Sequence, residues 1–430
     1  MQIIFANTVP RGKTEGGWRA EELDMGGAIS GRTPVPAHIP PELVRDFDFF
    51  APPGADEDVH LAWKQVQDEG PEVFWTPRNG GHWIATRAED IREVQFNFER
   101  FSQRVLTLPA DAYEQTLLPI NVDPPVHGPY RKLIMPAFLP RAIDQLDSAI
   151  RQAAAELVDE LAPRGECEFV EDFARKMPIS VFLKIVDLPY DDRPFLLGIV
   201  DRMREPDPDA GRRGMAEVVA YLGKWVEERR ARPGDDIIST VVHGEIDGRP
   251  ITDHEIFQLL TVILLGGLDT VTSLLGFICR FLAMSPAHRH LLVAHPELRR
   301  NAVEELIRRH GVVATARYIT EDFVSRGVQF RAGDIIQIPN CLYGLDERLN
   351  PDPLTVDFER ESIQHGVFGN GPHTCPGAVL TRRELTAFLE FWLEKIPDFE
   401  IRPGSRPKMY SAGVNGVSRL ELVWTPPGPA

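Results

Sequence analysis

The stretch that most constrains what this chain can fold into is the segment from Phe368 to Gly377, which reads FGNGPHTCPG. Two glycines precede Cys375, and a proline follows it. The next residues, 381–393, carry leucine and phenylalanine at helical spacing, which predicts a helix. Because proline is favoured at the first helical position, Cys375 is predicted to lie at a helix N-terminus. The helix dipole there favours a thiolate, which suits an iron ligand; the alternative is a buried free cysteine.

The composition is that of an ordinary globular protein, and the charge limits the choice of partners. Of 430 residues, 43% are hydrophobic and 26% are charged, and the formal net charge of −17 argues against nucleic acid or an anionic membrane as partner. Four cysteines without CxxC spacing indicate neither a disulfide framework nor a zinc site, which predicts a reducing cytoplasm. The N-terminal apolar run of about five residues is too short for a signal sequence.

One interior segment is apolar enough to be mistaken for a membrane span. Between Ile256 and Cys279 the only charged residue is Asp269. Charge and hydroxyl groups near the centre of such a segment are costly in lipid, which favours a long buried core helix over a span. Thr252 or Asp253 is predicted to cap this helix, which ends before Pro286.

The remaining patterns predict a mainly helical fold with a small β portion. Residues 72–75 and 82–85 are β-like runs separated by an Asn-Gly turn, which predicts a hairpin. Residues 1–38 are predicted to be a flexible tail, and 39–430 a single domain without repeats or a separable linker. Residues 101–120 lack a regular period, and such a long irregular segment is often functional.

A second motif lies inside the long helix, at Gly266-Gly267-Leu268-Asp269-Thr270. Adjacent glycines in a helix cost roughly 2 kcal/mol relative to alanine, which indicates a close approach or a distortion. Thr270 is placed to bond back to the Gly266 carbonyl and open the helix, and Asp269 and Thr270 together can relay protons through water. The alternative is a helix–helix contact made by small residues.

The pattern FGxGxHxCxG resembles the haem-binding signature of the cytochrome P450 family. Asp269-Thr270 is similar to the acid–alcohol pair of the family's distal helix. Glu305 and Arg308 are similar to the family's ExxR pair, which has a structural role. The resemblance extends from about residue 40 to the carboxyl end and is closest to the camphor-hydroxylase branch. It implies the cytochrome P450 fold, with haem b held between the long distal helix and the cysteine-loop helix and Cys375 as the axial thiolate.

The same resemblance implies further cofactor contacts around the haem. Charge-assisted bonds from arginine and histidine would neutralise the two propionates. The residues implied as cofactor-binding are His127, Arg131, Arg317, His373, Phe368 and Gly369. Each of them taken alone is more often a surface or loop residue.

The substrate region departs from the camphor-binding pattern. Those members hold the ketone with a tyrosine, whereas this chain has Gln115, with Tyr113 nearby, and Thr315 replaces an acidic residue. The residues expected to line the pocket are Gln115, Leu265, Val313 and Val414. A small, mostly apolar terpenoid or norisoprenoid ketone is therefore expected, with camphor or a related monoterpenoid ketone as the alternative; ordinary core packing is the other interpretation of these residues.

The resemblance implies a haem-thiolate monooxygenase that uses dioxygen and takes electrons in trans from a ferredoxin and its reductase. Since ferredoxins are usually acidic, a local basic patch is expected on the cysteine side, with Arg92, Arg131 and Lys132 as candidates. A peroxide-driven peroxygenase and a non-enzymatic haem sensor or ligand-storage protein are the alternatives. Asp269-Thr270 counts against both, because peroxygenase members of the family replace this pair with other residues and a sensor or storage protein has no use for retained proton delivery.

Overall fold

Helices dominate the described part of the chain. The computed structural model describes residues 13–14, 17–18, 31–110, 116–203 and 208–427. The helices are α1 (Ala55–Glu69), α2 (Ala88–Phe96), α3 (His127–Ile134), α4 (Pro140–Leu161), α5 (Lys176–Ile185), α6 (Arg193–Met203), α7 (Pro208–Ala231), α8 (Ile237–Val242), α9 (Asp253–Met284), α10 (Pro286–Ala294), α11 (Arg299–Arg309), α12 (Cys341–Gly344) and α13 (Ala378–Lys395). The mainly helical prediction is confirmed. The predicted tail lies largely outside the described ranges, so the division at residues 38 and 39 stays a prediction.

The strands are short, and half of the described ones lie in two-stranded sheets. They are β1 (Lys13–Thr14), β2 (Gly17–Trp18), β3 (Val73–Thr76), β4 (His82–Ala85), β5 (Phe101–Ser102), β6 (Glu166–Glu168), β7 (Glu245–Ile246), β8 (Arg249–Pro250), β9 (Ala314–Ile319), β10 (Phe323–Ser325), β11 (Val328–Phe330), β12 (Ile335–Pro339), β13 (Glu400–Ile401), β14 (Lys408–Tyr410), β15 (Gly416–Arg419) and β16 (Glu421–Val423). The largest sheet has the order β3-β4-β12-β9-β5.

The predicted hairpin is present as β3 and β4, which pair antiparallel with Trp75 opposite Trp83. Its turn uses Asn79, Gly80 and Gly81, all at positive φ. A Cβ on Gly81 would lie 2.7 Å from the Trp75 ring, so the turn requires glycine there. β12 then pairs parallel with β4 and antiparallel with β9, which carries β9 toward the centre of the molecule.

The long helix α9 connects the two hydrophobic clusters of the described core. Thr252 caps it in a reciprocal capping box with Glu255, as predicted, and its 32 residues span roughly 48 Å. Its amino-terminal half packs with α5, α7 and α8, and its carboxyl-terminal half with the cluster that contains the sheet, α11 and α13. It is long and apolar enough to cross a membrane, but 67% of its most apolar window is buried inside the fold, as expected of a core helix.

The start of α13 differs from the prediction. This helix begins at Ala378 with Gly377 as its N-cap, so Pro376 precedes the helix instead of occupying its first position. Cys375 still lies less than one turn from the helix N-terminus. α13 packs along α4 and α11, and its Phe388 and Trp392 lie in an aromatic cluster with Phe169.

Candidate active site

A cavity of about 800 Å³ lies between α9 and the segment that carries Cys375. Its walls are α9, the loop before α13, β9 with the residues just before it, and part of the irregular segment after β5. The cavity is lined mostly by aliphatic and aromatic side chains, and a group of basic side chains, His127, Arg131, Arg317 and His373, forms one polar end of it. The sequence motifs at Gly266–Thr270 and Phe368–Gly377 therefore face one space.

Close backbone approach shapes the cysteine loop. The Cys375 N–H donates to the Phe368 carbonyl at 2.8 Å, which closes the loop around Gly369 and Gly371. Both glycines have positive φ, +71° and +72°. A Cβ on Gly371 would lie 2.9 Å from the Gln95 carbonyl oxygen, whereas one on Gly369 would meet its nearest neighbour at 3.8 Å. Position 371 therefore requires glycine both for its positive φ and for the lack of room for a Cβ, whereas position 369 requires it for its positive φ alone.

The Cys375 thiol does not become a thiolate through its position alone. Burial raises its pKa above the ordinary value, against the smaller effects of the Gly377 N–H, Arg131 and Arg382, which lower it. The sequence-based expectation that backbone N–H groups near the helix N-terminus favour a thiolate holds for the Gly377 N–H, but the effect of burial on the pKa is larger and opposite. A metal ion bound in the cavity would act in the opposite direction and lower the pKa of this thiol, because it stabilises the thiolate.

The middle of α9 forms the opposite wall. The Thr270 hydroxyl donates to the Gly266 carbonyl at 3.0 Å, as predicted, yet α9 continues as a regular helix through this position. The groove arises differently: a Cβ on Gly266 or Gly267 would have nothing within 4 Å. The two missing side chains leave open space beside Asp269 and Thr270, which both line the cavity.

The residues predicted to bind the haem propionates lie together at the polar end of the cavity. His127, Arg131, Arg317 and His373 all line it, and the rings of His127 and His373 are 4.4 Å apart between centroids. Arg131 donates to the Thr374 carbonyl. Within the described ranges, neither guanidinium forms an ion pair with a carboxylate. Two buried or half-buried cations thus lack the anions that buried charges require.

Burial acts on both histidines in this group. Burial, together with the nearby His373 and Arg131, lowers the pKa of His127 to about 4. Burial also lowers the pKa of His373, although Asp123, whose carboxylate oxygen is 3.8 Å from its Nε2, acts in the opposite direction. No described residue hydrogen-bonds this buried Nε2. An unsatisfied imidazole beside unpaired guanidiniums fits an anionic group in the cavity.

The donor set therefore fits haem. The glycines leave flat space, Phe368 and Gly369 border it, Cys375 offers sulfur to a metal, and the polar end fits two carboxylates.

The predicted structural pair lies away from the cavity. Arg308 Nε donates to Glu305 at 2.7 Å, and both side chains are fully buried. Arg308 also donates to the Gly344 and Pro353 carbonyls, and Arg360 contacts Glu305 at 3.2 Å. The pair therefore ties α11 to the segment that precedes the cysteine loop, in keeping with the structural role expected of it.

The predicted substrate residues are divided between described and undescribed parts of the chain. Leu265, Val313 and Val414 line the cavity, and Val313 forms a β-bridge with Val414. Gln115, like Tyr113, falls in residues 111–115, outside the described ranges.

Two acidic residues near the site escaped prediction. Asp123 accepts hydrogen bonds from the Ser102 hydroxyl and the Gln103 N–H, and its carboxylate lies near His373. Glu384 lines the cavity with 2% of its surface exposed, and burial alone raises its pKa to about 8. Its place one turn after Thr381, on the apolar face of α13, was a signal that could have identified it.

A half-buried cysteine that lines the same cavity as the glycine-opened face of α9, with arginine and histidine side chains suited to two carboxylates, fits a haem-thiolate protein. The family model described as "Cytochrome P450" matches residues 199–422, and the chain belongs to this family. Probable cytochrome P450 127A1 of Sinorhizobium fredii is 35% identical over 401 residues, 91% of this chain and 97% of the relative. Linalool 8-monooxygenase of Pseudomonas putida is 27% identical, covering 85% and 96% of the two chains.

The structural comparison places the chain among bacterial relatives of the same type. The crystal structure of cytochrome P450 CYP101C1 superposes with a TM-score of 0.85 at 36% identity, covering 91% of this chain and 100% of that one. The resemblance to the camphor-hydroxylase-like branch is confirmed. The protein is thus an oxidoreductase of the P450 monooxygenase class, whose cofactor is haem b with a cysteine thiolate as axial ligand.

Proposed function

We propose that this monooxygenase hydroxylates a small, mostly apolar terpenoid or norisoprenoid with dioxygen and electrons from a ferredoxin. The observation that carries the proposal is the apolar wall formed by Leu265, Val313 and Val414 on the same cavity as Asp269 and Thr270. An apolar ligand in this wall lies beside the oxygen-activating groups without burying an unpaired charge. Camphor or a related monoterpenoid ketone is the narrower alternative within the same class.

The residues divide the work as follows. When bound, haem supplies the oxidising chemistry, with Cys375 as its thiolate ligand. Arg131, Arg317, His127 and His373 hold the propionates. Asp269 takes protons from solvent, and the Thr270 hydroxyl, anchored on the Gly266 carbonyl, holds the last water of the relay. The apolar walls exclude other water and orient the C–H bond to be attacked.

Electron delivery uses the cysteine side. Lys132 is exposed on α3, and the exposed Arg92 stacks over Phe96, whose backbone packs against Gly371 of the cysteine loop. Arg131 is unsuited to docking because its guanidinium is turned inward to the Thr374 carbonyl. Arg92 and Lys132 are therefore our candidates for the ferredoxin contact. The cysteines in the described ranges are free thiols, in keeping with the cytoplasmic location we propose.

A ligand screen of the ferric protein tests the substrate class. A substrate that displaces water from the iron changes low-spin to high-spin iron and shifts the Soret band to shorter wavelength. We expect this shift with terpenoid and norisoprenoid ketones, and hydroxylated product when a ferredoxin and its reductase are added. No shift with any member of the class would contradict the proposal, as would faster turnover with peroxide alone than with ferredoxin.

A further inference from the structure

Val313, Thr315 and Arg317 share one face of β9 and the residue before it. Side chains two residues apart in a strand project to the same side, and all three residues line the cavity. Val313 lies at the apolar end through its bridge to Val414, and Arg317 lies at the cationic end. Thr315 is the hydroxyl residue between them, at the boundary between the substrate walls and the cofactor's polar end.

The hydroxyl of Thr315 has a fixed hydrogen-bonding sense. Arg317 Nη1 donates to Thr315 Oγ1 at 3.1 Å and to the Ala316 carbonyl at 2.8 Å. A guanidinium has donors and no acceptor, so Thr315 accepts in this contact and must direct its own proton elsewhere. Among the residues that the structure describes, none accepts that proton.

The guanidinium also polarises the hydroxyl. Arg317 is 6% exposed, so its charge is poorly screened by water. A hydroxyl that accepts from a cation is a stronger donor, because successive hydrogen bonds polarise one another. The result is an oriented donor between the apolar side chain of Val313 and the guanidinium of Arg317.

We propose that Thr315 donates a hydrogen bond to an acceptor oxygen of the substrate, which makes it a specificity residue for ketone-bearing ligands. The inference rests on the proposed function and narrows it, since a hydrocarbon of the same shape leaves this donor unsatisfied. It assigns to Thr315 the carbonyl contact expected earlier of Gln115.

The test compares two ligands of one skeleton, camphor and the parent hydrocarbon bornane, by Soret titration of the ferric holoprotein. Thr315→Val removes the hydroxyl and keeps the shape. We expect it to weaken camphor binding roughly fivefold, the effect of one neutral hydrogen bond, and to leave bornane within about twofold. Thr315→Ser should restore most of the preference for camphor.

Thr386→Val is the control, because the Thr386 hydroxyl already donates to the Arg382 carbonyl at 2.7 Å and the residue does not line the cavity. It should leave the ratio of the two dissociation constants unchanged. Equal weakening of both ligands by Thr315→Val, or an altered carbon monoxide spectrum, would assign Thr315 to pocket shape or cofactor placement and overturn the inference. An unchanged ratio would also overturn it. If neither ligand shifts the parent spectrum, the proposed substrate class fails first.

Discussion

At the residue scale, the Thr270 hydroxyl is the group on which efficient oxygen use depends most. Its hydrogen bond to the Gly266 carbonyl fixes its position beside the open groove of α9. Thr270→Ala removes it, so we expect product formed per oxygen consumed to fall by about tenfold while oxygen uptake continues. Thr270→Ser should retain most of the coupling. Parent-like coupling in the alanine variant, measured with an oxygen electrode and product quantification, would contradict the relay.

A second residue-scale prediction concerns pH and Glu384. Burial raises its pKa from 4.5 to about 8, so the folded protein favours the protonated acid. The stability that this protonation contributes is present below pH 4.5 and is lost as pH rises through 8. Glu384→Gln should therefore be more stable than the parent at pH 8.5, by an amount on the order of several kcal/mol, and closer to it at pH 5. Urea unfolding at both pH values measures this; equal dependence in both proteins would place a partner beside the carboxyl.

At the element scale, the cysteine loop depends on two glycines for different reasons. Gly371→Ala incurs roughly 1–2 kcal/mol for the left-handed backbone, and its Cβ would also lie 2.9 Å from the Gln95 carbonyl oxygen. Gly369→Ala incurs the backbone term alone. We expect Gly371→Ala to lose haem content and thiolate ligation, and Gly369→Ala to keep both with a lower melting temperature. Equal behaviour of the two variants would show that close packing on α2 is unimportant.

At the scale of the whole molecule, the net charge of −17 makes the docking face a local exception. Arg92→Glu or Lys132→Glu should weaken ferredoxin association several-fold and reduce its dependence on salt, because exposed charges act over about 10 Å at moderate ionic strength. Arg45, exposed beside β3, offers the charge-matched control Arg45→Glu. Reduction rates at varied ferredoxin concentration and salt measure this. An equal effect of the three substitutions would show that only the net charge matters and would contradict a local docking face.

Features that depend only on residues close together in the chain could be predicted from the sequence. The β3–β4 turn, the Thr252 cap and the bond from Thr270 to the Gly266 carbonyl each follow from residues within four positions of one another. The membership of the family followed from the motif around Cys375. These features need no knowledge of tertiary contacts.

The remaining features depend on contacts between distant residues. The parallel pairing of β12 with β4 joins Ile336 to Trp83 and has no local signature. Burial reversed the expected shift of the Cys375 pKa, and a charge count cannot reveal that Arg131 turns inward. Glu384 was not predicted as a site residue for the same reason. Its burial depends on the distant residues that pack around α13, which the local sequence does not reveal.

The most direct test of the central claim is the carbon monoxide spectrum of the reduced protein with Cys375 replaced. The parent should show the red-shifted Soret band that thiolate ligation produces. Cys375→Ser should lose that band, whereas Cys341→Ser, a change at a free cysteine that is buried away from the cavity, should keep it. A Cys375→Ser variant with an unchanged band would contradict the assignment of Cys375 as the axial ligand.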